Sequence, residues 1–351
     1  TSQQECRSIL EKKVFVSQGA MDYNIGIKMI KCERGLLMKK HIKNSALLLC
    51  IVAGLIIIIN KLISVFSHMT DHLPTGGGKY YHWKYGNIYY TKSGKGKPVL
   101  LIHDLDSTSS SYEWKAVIKK MSEDHTVYAI DLLGCGRSEK PNMTYTNFLY
   151  VQMISDFIKS EIGHRTSIIT SGEAASIPLM ACANNPDLFD QIMAINPRSL
   201  LDFSSIPGKT AKMYKCIIEF PILGTLLYHI ASSKKMILEE LVTKKFFNPY
   251  SVKSSYVDAC YEASHLGASP KSTFASIRCN YTKCNLVNAL KKIDNSIYLL
   301  GGAGVENIED RLNEYKDYNS SIETVLVPKT KELPHLEQPE KIAELIKTYF
   351  C

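Results

Sequence analysis

Residues Ala46 to Ile59 read ALLLCIVAGLIIII, an unbroken run of apolar residues and glycine. Asn60 and Lys61 interrupt it and LISVF carries it on to Phe66, so the stretch from Ser45 to Phe66 is 22 residues long. About 20 apolar residues cross a bilayer core as a helix, the form in which a chain satisfies its own backbone polar groups in lipid. Lys39, Lys40, His41 and Lys43 stand just ahead of the run, and positive residues mark the cytoplasmic flank. The expectation is a single-pass membrane protein, amino terminus cytoplasmic and main domain extracytoplasmic, touching the lipid bilayer through residues 45–66. Lys61 can snorkel to the outer surface. A cleaved signal peptide is the competing reading, disfavoured by the length of the run and the lack of an A-x-A site. A core helix of a soluble domain is disfavoured by apolar character on every face.

Charge supports this placement. Residues 1–44 carry nine Lys/Arg against four Asp/Glu, so +5 of the formal +8 lies ahead of the apolar run. Positive charge gathered there speaks of membrane topology. No basic patch with interleaved aromatics follows it, so no nucleic-acid partner is expected. Residues 1–44 read as a cytoplasmic basic segment. Within it, Met38 opens M-K-K-H-I-K-N, a good start for an anchor, and residues 1–37 are expected to be a mis-called extension. The ten cysteines have no repeating spacing. Cys279 and Cys284 are the nearest pair, without a second pair to complete a metal site, so they read as small apolar residues. No metal and no cofactor is expected.

Residues 67–78 (SHMTDHLPTGGG) read as a polar, Gly-rich linker. Beyond it strands and helices alternate. Tyr80–Tyr85 and Asn87–Lys92 suggest a hairpin, and PVLLIH (98–103) is a continuous apolar run of the kind buried on both faces. Trp114–Met121 reads as helix, Thr126–Leu132 as strand, Phe148–Ile162 as helix and Thr166–Thr170 as strand. Then come a helix at Ala174–Ala183, a strand at Gln191–Asn196 and, much later, a strand at Ser296–Leu300. A helix at Ile308–Tyr318, a strand at Ser321–Val327 and a helix at Glu340–Phe350 close the pattern. This alternation predicts an α/β domain with a doubly wound, mostly parallel sheet. Residues 198–290 break the rhythm with helical character alone. The expected core is 79–197 with 291–351, and 198–290 is an inserted helical cap.

Four stretches carry a resemblance: LLIHDLDSTSSSYEW (100–114), YAIDLLGCGRSEKP (128–141), SIITSGEAASIPLMACANNPDLFDQIMAINP (167–197) and PHLEQPEKI (334–342). Together they resemble the α/β-hydrolase superfamily, in particular its lidded epoxide-hydrolase and haloalkane-dehalogenase-like branch, over roughly Tyr80 to Phe350. The resemblance implies the α/β-hydrolase fold, with the insertion where that branch carries its cap.

It also implies positions for catalysis, and these are altered. The family's nucleophile sits on a sharp strand-to-helix elbow flanked by small residues. Registering on Pro186 and QIMAIN puts Gly172 there, within Thr170-Ser171-Gly172-Glu173-Ala174. Glycine adopts a positive φ freely, so the elbow can persist with no nucleophilic atom. Ser171 is the fallback nucleophile, by a one-residue slip that leaves Ile169 and Glu173 as bulky flanks. The family's base histidine falls on Glu332. His335, three residues on, matches a variable position and reads as a packing or surface residue, the fallback base. The acid position falls on Gly304, with Glu306 or Glu309 able to serve only after loop rearrangement. The family's oxyanion-loop His-Gly becomes His103-Asp104, and a carboxylate there would repel an oxyanion. Asp131, Arg137 and Ser138 read as structural residues of the turn after the second long strand.

His103, Asp104, Glu173 and Glu332 are expected to line the old active-site mouth. One reading is an acidic pocket for a cationic ligand or a metal; the plainer one is solvated carboxylates at a disused cleft. Three functions stay open at this point. The first is a pseudohydrolase that binds a small ligand or protein partner through its capped pocket. The second is an active hydrolase of small ester-like or apolar substrates, using Ser171 or a non-standard acid. The third is a structural surface protein whose cap meets a partner. A pocket filled by side chains favours the third, and an open apolar cavity the first two.

Overall fold

The computed structural model describes residues 21–68, 71–73 and 77–350. The chain divides into two compact units, Thr1–Ile59 and Asn60–Cys351. Helix α1, Met21–His68, contains the expected 45–66 segment and extends it at both ends, because Lys, Met, Leu and Ile continue a helix as readily as the apolar run does. Its apolar side chains stand exposed, Leu48, Leu49 and Ile58 among them. It is the one helix among the described residues long and apolar enough to cross a membrane. The first 20 residues of the expected extension lie outside the described residues.

The described part of the expected linker is not free. His72 N–H and Leu73 N–H both donate to Glu262 Oε2, at 2.6 and 3.2 Å. The Arg137 guanidinium donates to Leu73 O at 2.6 Å, and Leu73 packs on Ala259 and Ala263. Composition alone hid an apolar residue with a seat.

The larger unit is built on eight strands: β1 Gly78–Trp83, β2 Gly86–Ser93, β3 Lys97–Ile102, β4 His125–Ile130, β5 Thr166–Ser171, β6 Phe189–Ile195, β7 Ser296–Gly302 and β8 Glu323–Val327. Their spatial order is β1-β2-β4-β3-β5-β6-β7-β8. The β1–β2 and β2–β4 pairs are antiparallel and all later pairs parallel. Helices follow as α2 Lys115–Met121, α3 Asn147–Phe157, α4 Ser176–Asn184, α5 Leu200–Phe203, α6 Lys209–Glu219, α7 Leu223–Ala231 and α8 Lys234–Glu240. Then come α9 Ser254–His265, α10 Pro270–Arg278, α11 Val287–Leu290, α12 Ile308–Lys316, α13 Pro334–Glu337 and α14 Pro339–Tyr349. Helices α5 to α11 occupy residues 198–290, with no strand among them.

Apolar runs become strands buried on both sides because successive side chains alternate faces. Leu100, Ile102 and Ile168 enter one core layer with α3 and α4. Val99, Leu101 and Ile169 enter the other, with Trp114, Ile342 and Ile346. Two expected helices begin or end differently. Helix α3 stops at Phe157 and a π-turn, Ile158–Ile162, completes the run up to Gly163 at φ +72°. The helix expected from Ala174 opens as a 3-10 turn, Gly172–Ala175. Cys279 and Cys284 are free thiols.

Core position should govern cost. Leu100→Ala, at a fully buried site, is expected to lower unfolding free energy by about 2–5 kcal/mol, and Phe148→Ala, 72% exposed, by less than about 0.5 kcal/mol. Urea titration of both variants checks the contrast.

Candidate functional site

The site begins where β5 ends. Ser171 is the last strand residue, extended at φ −125°, and Gly172 turns the chain at φ +56°. The sharp elbow is therefore made by glycine. A Cβ on Gly172 would meet Asp104 Oδ1 at 2.2 Å, so the Asp104 carboxylate lies in the space a side chain at the apex would enter. Glu173 N–H, the next amide, donates to that same Oδ1 at 2.9 Å. An amide so placed after a nucleophile serves elsewhere as an oxyanion donor. Here it is engaged by the protein's own carboxylate. The sequence predicts repulsion of an oxyanion by Asp104; the geometry adds that Asp104 Oδ1 itself accepts the Glu173 amide.

His103 fixes Asp104 from behind. It is fully buried, its Nε2 accepts Leu132 N–H at 3.0 Å, and its Nδ1 is 2.7 Å from Asp104 O. With Nε2 accepting, Nδ1 carries the proton and donates. His103 thus braces the loop.

The carboxylates do not stand in solvent. Lys245, from the turn after α8, brings Nζ to 3.7 Å from Asp104 Oδ2, with both side chains largely buried. Burial alone would lower the Lys245 pKa, but Asp104, Asp106 and Glu240 outweigh it and hold the ammonium charged above its usual range. Arg198 behaves likewise: burial opposes its charge, and Asp104, Glu332, Glu173 and Asp202 together overcome it. For Asp106, burial is outweighed by Lys245 and Arg278, and its pKa is lowered. Lys245 thus stands beside Asp104, which the plainer of the two readings left to solvent. Among the described residues no group of three or more His, Cys, Asp and Glu could hold a metal ion. Glu173 is the exception in the balance. Burial first, and Asp104 second, push its pKa up to about 7 against Thr282, Lys283 and Arg198, and Thr282 Oγ1 donates to its Oε1 at 2.8 Å.

The other two family positions are occupied as well. A Cβ on Gly304 would strike the Phe247 ring at 2.6 Å, and Gly304 N–H donates to Thr330 O at 2.8 Å. Glu306 and Glu309 are exposed. Glu332 is half-buried, its N–H tied to Lys245 O at 3.0 Å. Beside the cluster, a cavity of about 30 Å³ is lined by Asp106, Ser107, Lys245, Tyr256 and Arg278, among others. That is room for about one water.

The fallback residues meet elsewhere, around a residue the sequence did not single out. Glu113 is 1% exposed. Its Oε1 accepts Ser171 Oγ–H at 2.6 Å and Asp104 N–H at 3.1 Å, and lies 3.5 Å from His335 Nε2. His335 is fully buried and stacks on Trp114 with ring centroids 4.3 Å apart. Burial alone would raise the Glu113 pKa; His335, His103 and the Ser171 hydroxyl outweigh it and lower it. Ser171 therefore donates its hydrogen bond to a carboxylate whose pKa is held down, and His335 Nε2 stands against the same carboxylate oxygen. Nucleophile–base order is reversed relative to a triad, in which the histidine takes the serine proton and the acid orients the histidine.

Asp131, Arg137 and Ser138 build a turn. Asp131 accepts the amides of Ser111 and Arg137 at 2.7 Å each, and Ser138 Oγ bridges Asp131 O and Tyr89 N–H.

A family model for the alpha/beta hydrolase family matches residues 99–345. The chain belongs to that family. A 2-hydroxy-6-oxo-6-(2'-aminophenyl)hexa-2,4-dienoic acid hydrolase of Metapseudomonas resinovorans is 28% identical over 114 residues, 32% of this chain and 39% of its own length. A soluble epoxide hydrolase of Corynebacterium sp. strain C12 is 29% identical over 145 residues, 41% of this chain and 46% of its own length. The matched stretch thus spans under half the length of these curated relatives. Among solved structures, an epoxide hydrolase superposes with a TM-score of 0.64 at 18% identity, covering 78% of this chain and 98% of that one. A serine hydrolase of carbazole degradation gives 0.63 at 15%, covering the same shares. At such identity these two structures speak for the fold alone.

Within this family member, sequence reasoning missed Arg198, Lys245 and Glu113. Arg198 stands two residues past the turn at Asn196, at the carboxyl end of β6, where ligand-facing residues collect in α/β sheets. That was a usable signal. Lys245 and Glu113 gave none.

Two expectations follow. Gly172→Ser should lose about 1–3 kcal/mol through left-handed strain and contact with Asp104. Adding Asp104→Gly should recover part of it, a coupling of about 0.5–3 kcal/mol in a double-mutant cycle by urea unfolding. For Glu173, a folded pKa near 7 means that the folded state keeps a proton the unfolded chain sheds from about pH 4.3 upward. Stability from this group therefore falls as pH rises between those values. Glu173→Gln should match the wild type near pH 5 and exceed it by about 1–3 kcal/mol at pH 8, read from thermal or urea unfolding.

Proposed function

We propose that this chain is a non-catalytic member of the α/β-hydrolase family, held at a cell membrane by α1 as a single-pass anchor, with its amino terminus cytoplasmic and its folded domain outside. The domain acts as a binding or scaffold element through its surface. One observation carries the loss of catalysis: the Asp104 carboxylate lies over Gly172 and accepts the Glu173 amide. Hydrolysis in this family needs a nucleophilic atom at that apex and a free donor for the oxyanion. Here the first is replaced by hydrogen and the second is already used. The crowding of Gly304 by Phe247 and the Asp104–Lys245 pair support the same conclusion, since side chains stand where a substrate would have to enter. The anchor rests on the exposed apolar surface of α1 and on Lys39, Lys40 and Lys43 before it.

A second reading has its own observation. Ser171, Glu113 and His335 form a contiguous polar trio. It is weakened by burial, for Ser171 is 1% exposed, and because the Ser171 hydroxyl donates to the Glu113 carboxylate and not to the imidazole.

A fluorophosphonate probe separates the two. The wild-type chain is expected to remain unlabelled under conditions that label an active serine esterase. Labelling of the wild type that disappears in Ser171→Ala would contradict the proposal and establish a working serine.

A further inference from the structure

Helices α6 and α7 form a tight hairpin: a Cβ on Gly224 would fall 2.1 Å from Ile218 O. Its outer surface is apolar. Met213, Ile217 and Phe220 stand at i, i+4 and i+7, and so do Leu223, Leu227 and Ile230; each of the six is more than 40% exposed. Two apolar stripes at helical spacing, both turned away from the core, form a patch that a water-facing domain would not keep bare.

The covering partner is indicated by Asn60, the residue that interrupts the apolar run of α1. Its side-chain amide donates to Ile222 O at 3.1 Å, at the start of α7. Within the Asn60–Cys351 unit the hairpin therefore adjoins the last turns of α1, where Leu62, Val65 and Phe66 are also exposed. Phe66 lies six residues beyond Asn60, about 9 Å along a helix axis. Interfacial helices bury their apolar face about 5–10 Å into the headgroup and acyl-chain boundary. With α1 taken as a span that ends near Phe66, this contact puts the hairpin at interfacial depth.

The hairpin's polar groups fit that setting. Lys271 Nζ donates to Glu219 O, Phe220 O and Thr225 Oγ1, satisfying the end of α6 from inside the domain. The segment's one acid, Glu219, is paired with Lys215 at 2.5 Å, while Lys209 and Lys212 are exposed and positive. Cations flanking an apolar stripe suit an anionic lipid surface.

We infer that the α6–α7 hairpin lies in the membrane interface as a second, monotopic contact with the bilayer, beside the outer end of α1. This rests on the reading of α1 as a membrane span. It assigns Asn60 the role of holding the hairpin to the last turns of α1, within the Asn60–Cys351 unit.

The test uses the full chain in vesicles of phosphatidylcholine and phosphatidylglycerol with brominated acyl chains, which quench nearby tryptophan. Trp83 and Trp114 are buried, so an added tryptophan can be read above them. Leu227→Trp probes the hairpin, Leu55→Trp the span, and Lys159→Trp the water-facing surface. The expected result is that Leu227→Trp loses emission to a degree comparable with Leu55→Trp and resists acrylamide, while Lys159→Trp shows the opposite. Quenching of Leu55→Trp without quenching of Leu227→Trp overturns this inference and leaves the anchor standing. In that case, acrylamide shielding of Leu227→Trp would point to a second copy or another protein on the patch. No quenching at Leu55→Trp removes the anchor and the inference together.

Discussion

A carboxylate hydrogen-bonded to one amide, directly above a glycine turn, sets the character of this domain. The elbow leaving β5 persists because Gly172 accepts φ +56°, and the space over it is taken by Asp104. An oxyanion site is a nest of donors waiting for an acceptor, and Asp104 Oδ1 accepts the Glu173 amide. Lys245 and Arg198 then become necessary, since a carboxylate removed from water must be paired. Lys245 thereby ties the inserted helices to the loop after β3.

The pairing is uneven, and the unevenness has consequences. Arg198 faces four acids, and Lys245 serves both Asp104 and Asp106. Glu173 receives less relief than burial and its neighbour Asp104 demand, so it keeps its proton close to neutral pH. Glu113 is the contrary case, buried yet ionised, because a hydroxyl, an amide and an imidazole surround it. Two glutamates close to one elbow, Glu173 half-buried and Glu113 buried, thus have their pKa values moved in opposite directions.

Much of the fold was legible because it follows from local periodicity. PVLLIH and TVYAIDL announce strands buried on both faces, and PHLEQPEKI announces a helix start through its prolines. The π-turn after Phe157 was hidden because the apolar pattern runs through it unchanged. At the site, Gly172, Gly304 and Asp104 could be singled out by register against the family's motifs. What could not be read was who meets whom across long separations. Lys245 lies in the inserted helices, and nothing in its neighbourhood points to β3. Glu113 looks like any charge on a short turn until Ser171 and His335 are seen around it. His335, readable as packing or surface, is a fully buried ring on Trp114. Patterns reveal elements, whereas charge networks are products of the fold.

The most direct test of this account is amide hydrogen exchange at Glu173, resolved to the single residue. If Asp104 holds that N–H, it should exchange slowly in the wild type, and Asp104→Ala should free it while neighbouring β5 amides stay protected. Fast exchange in the wild type, or protection untouched by Asp104→Ala, would mean that the donor is open and that the cleft is not closed in the way described.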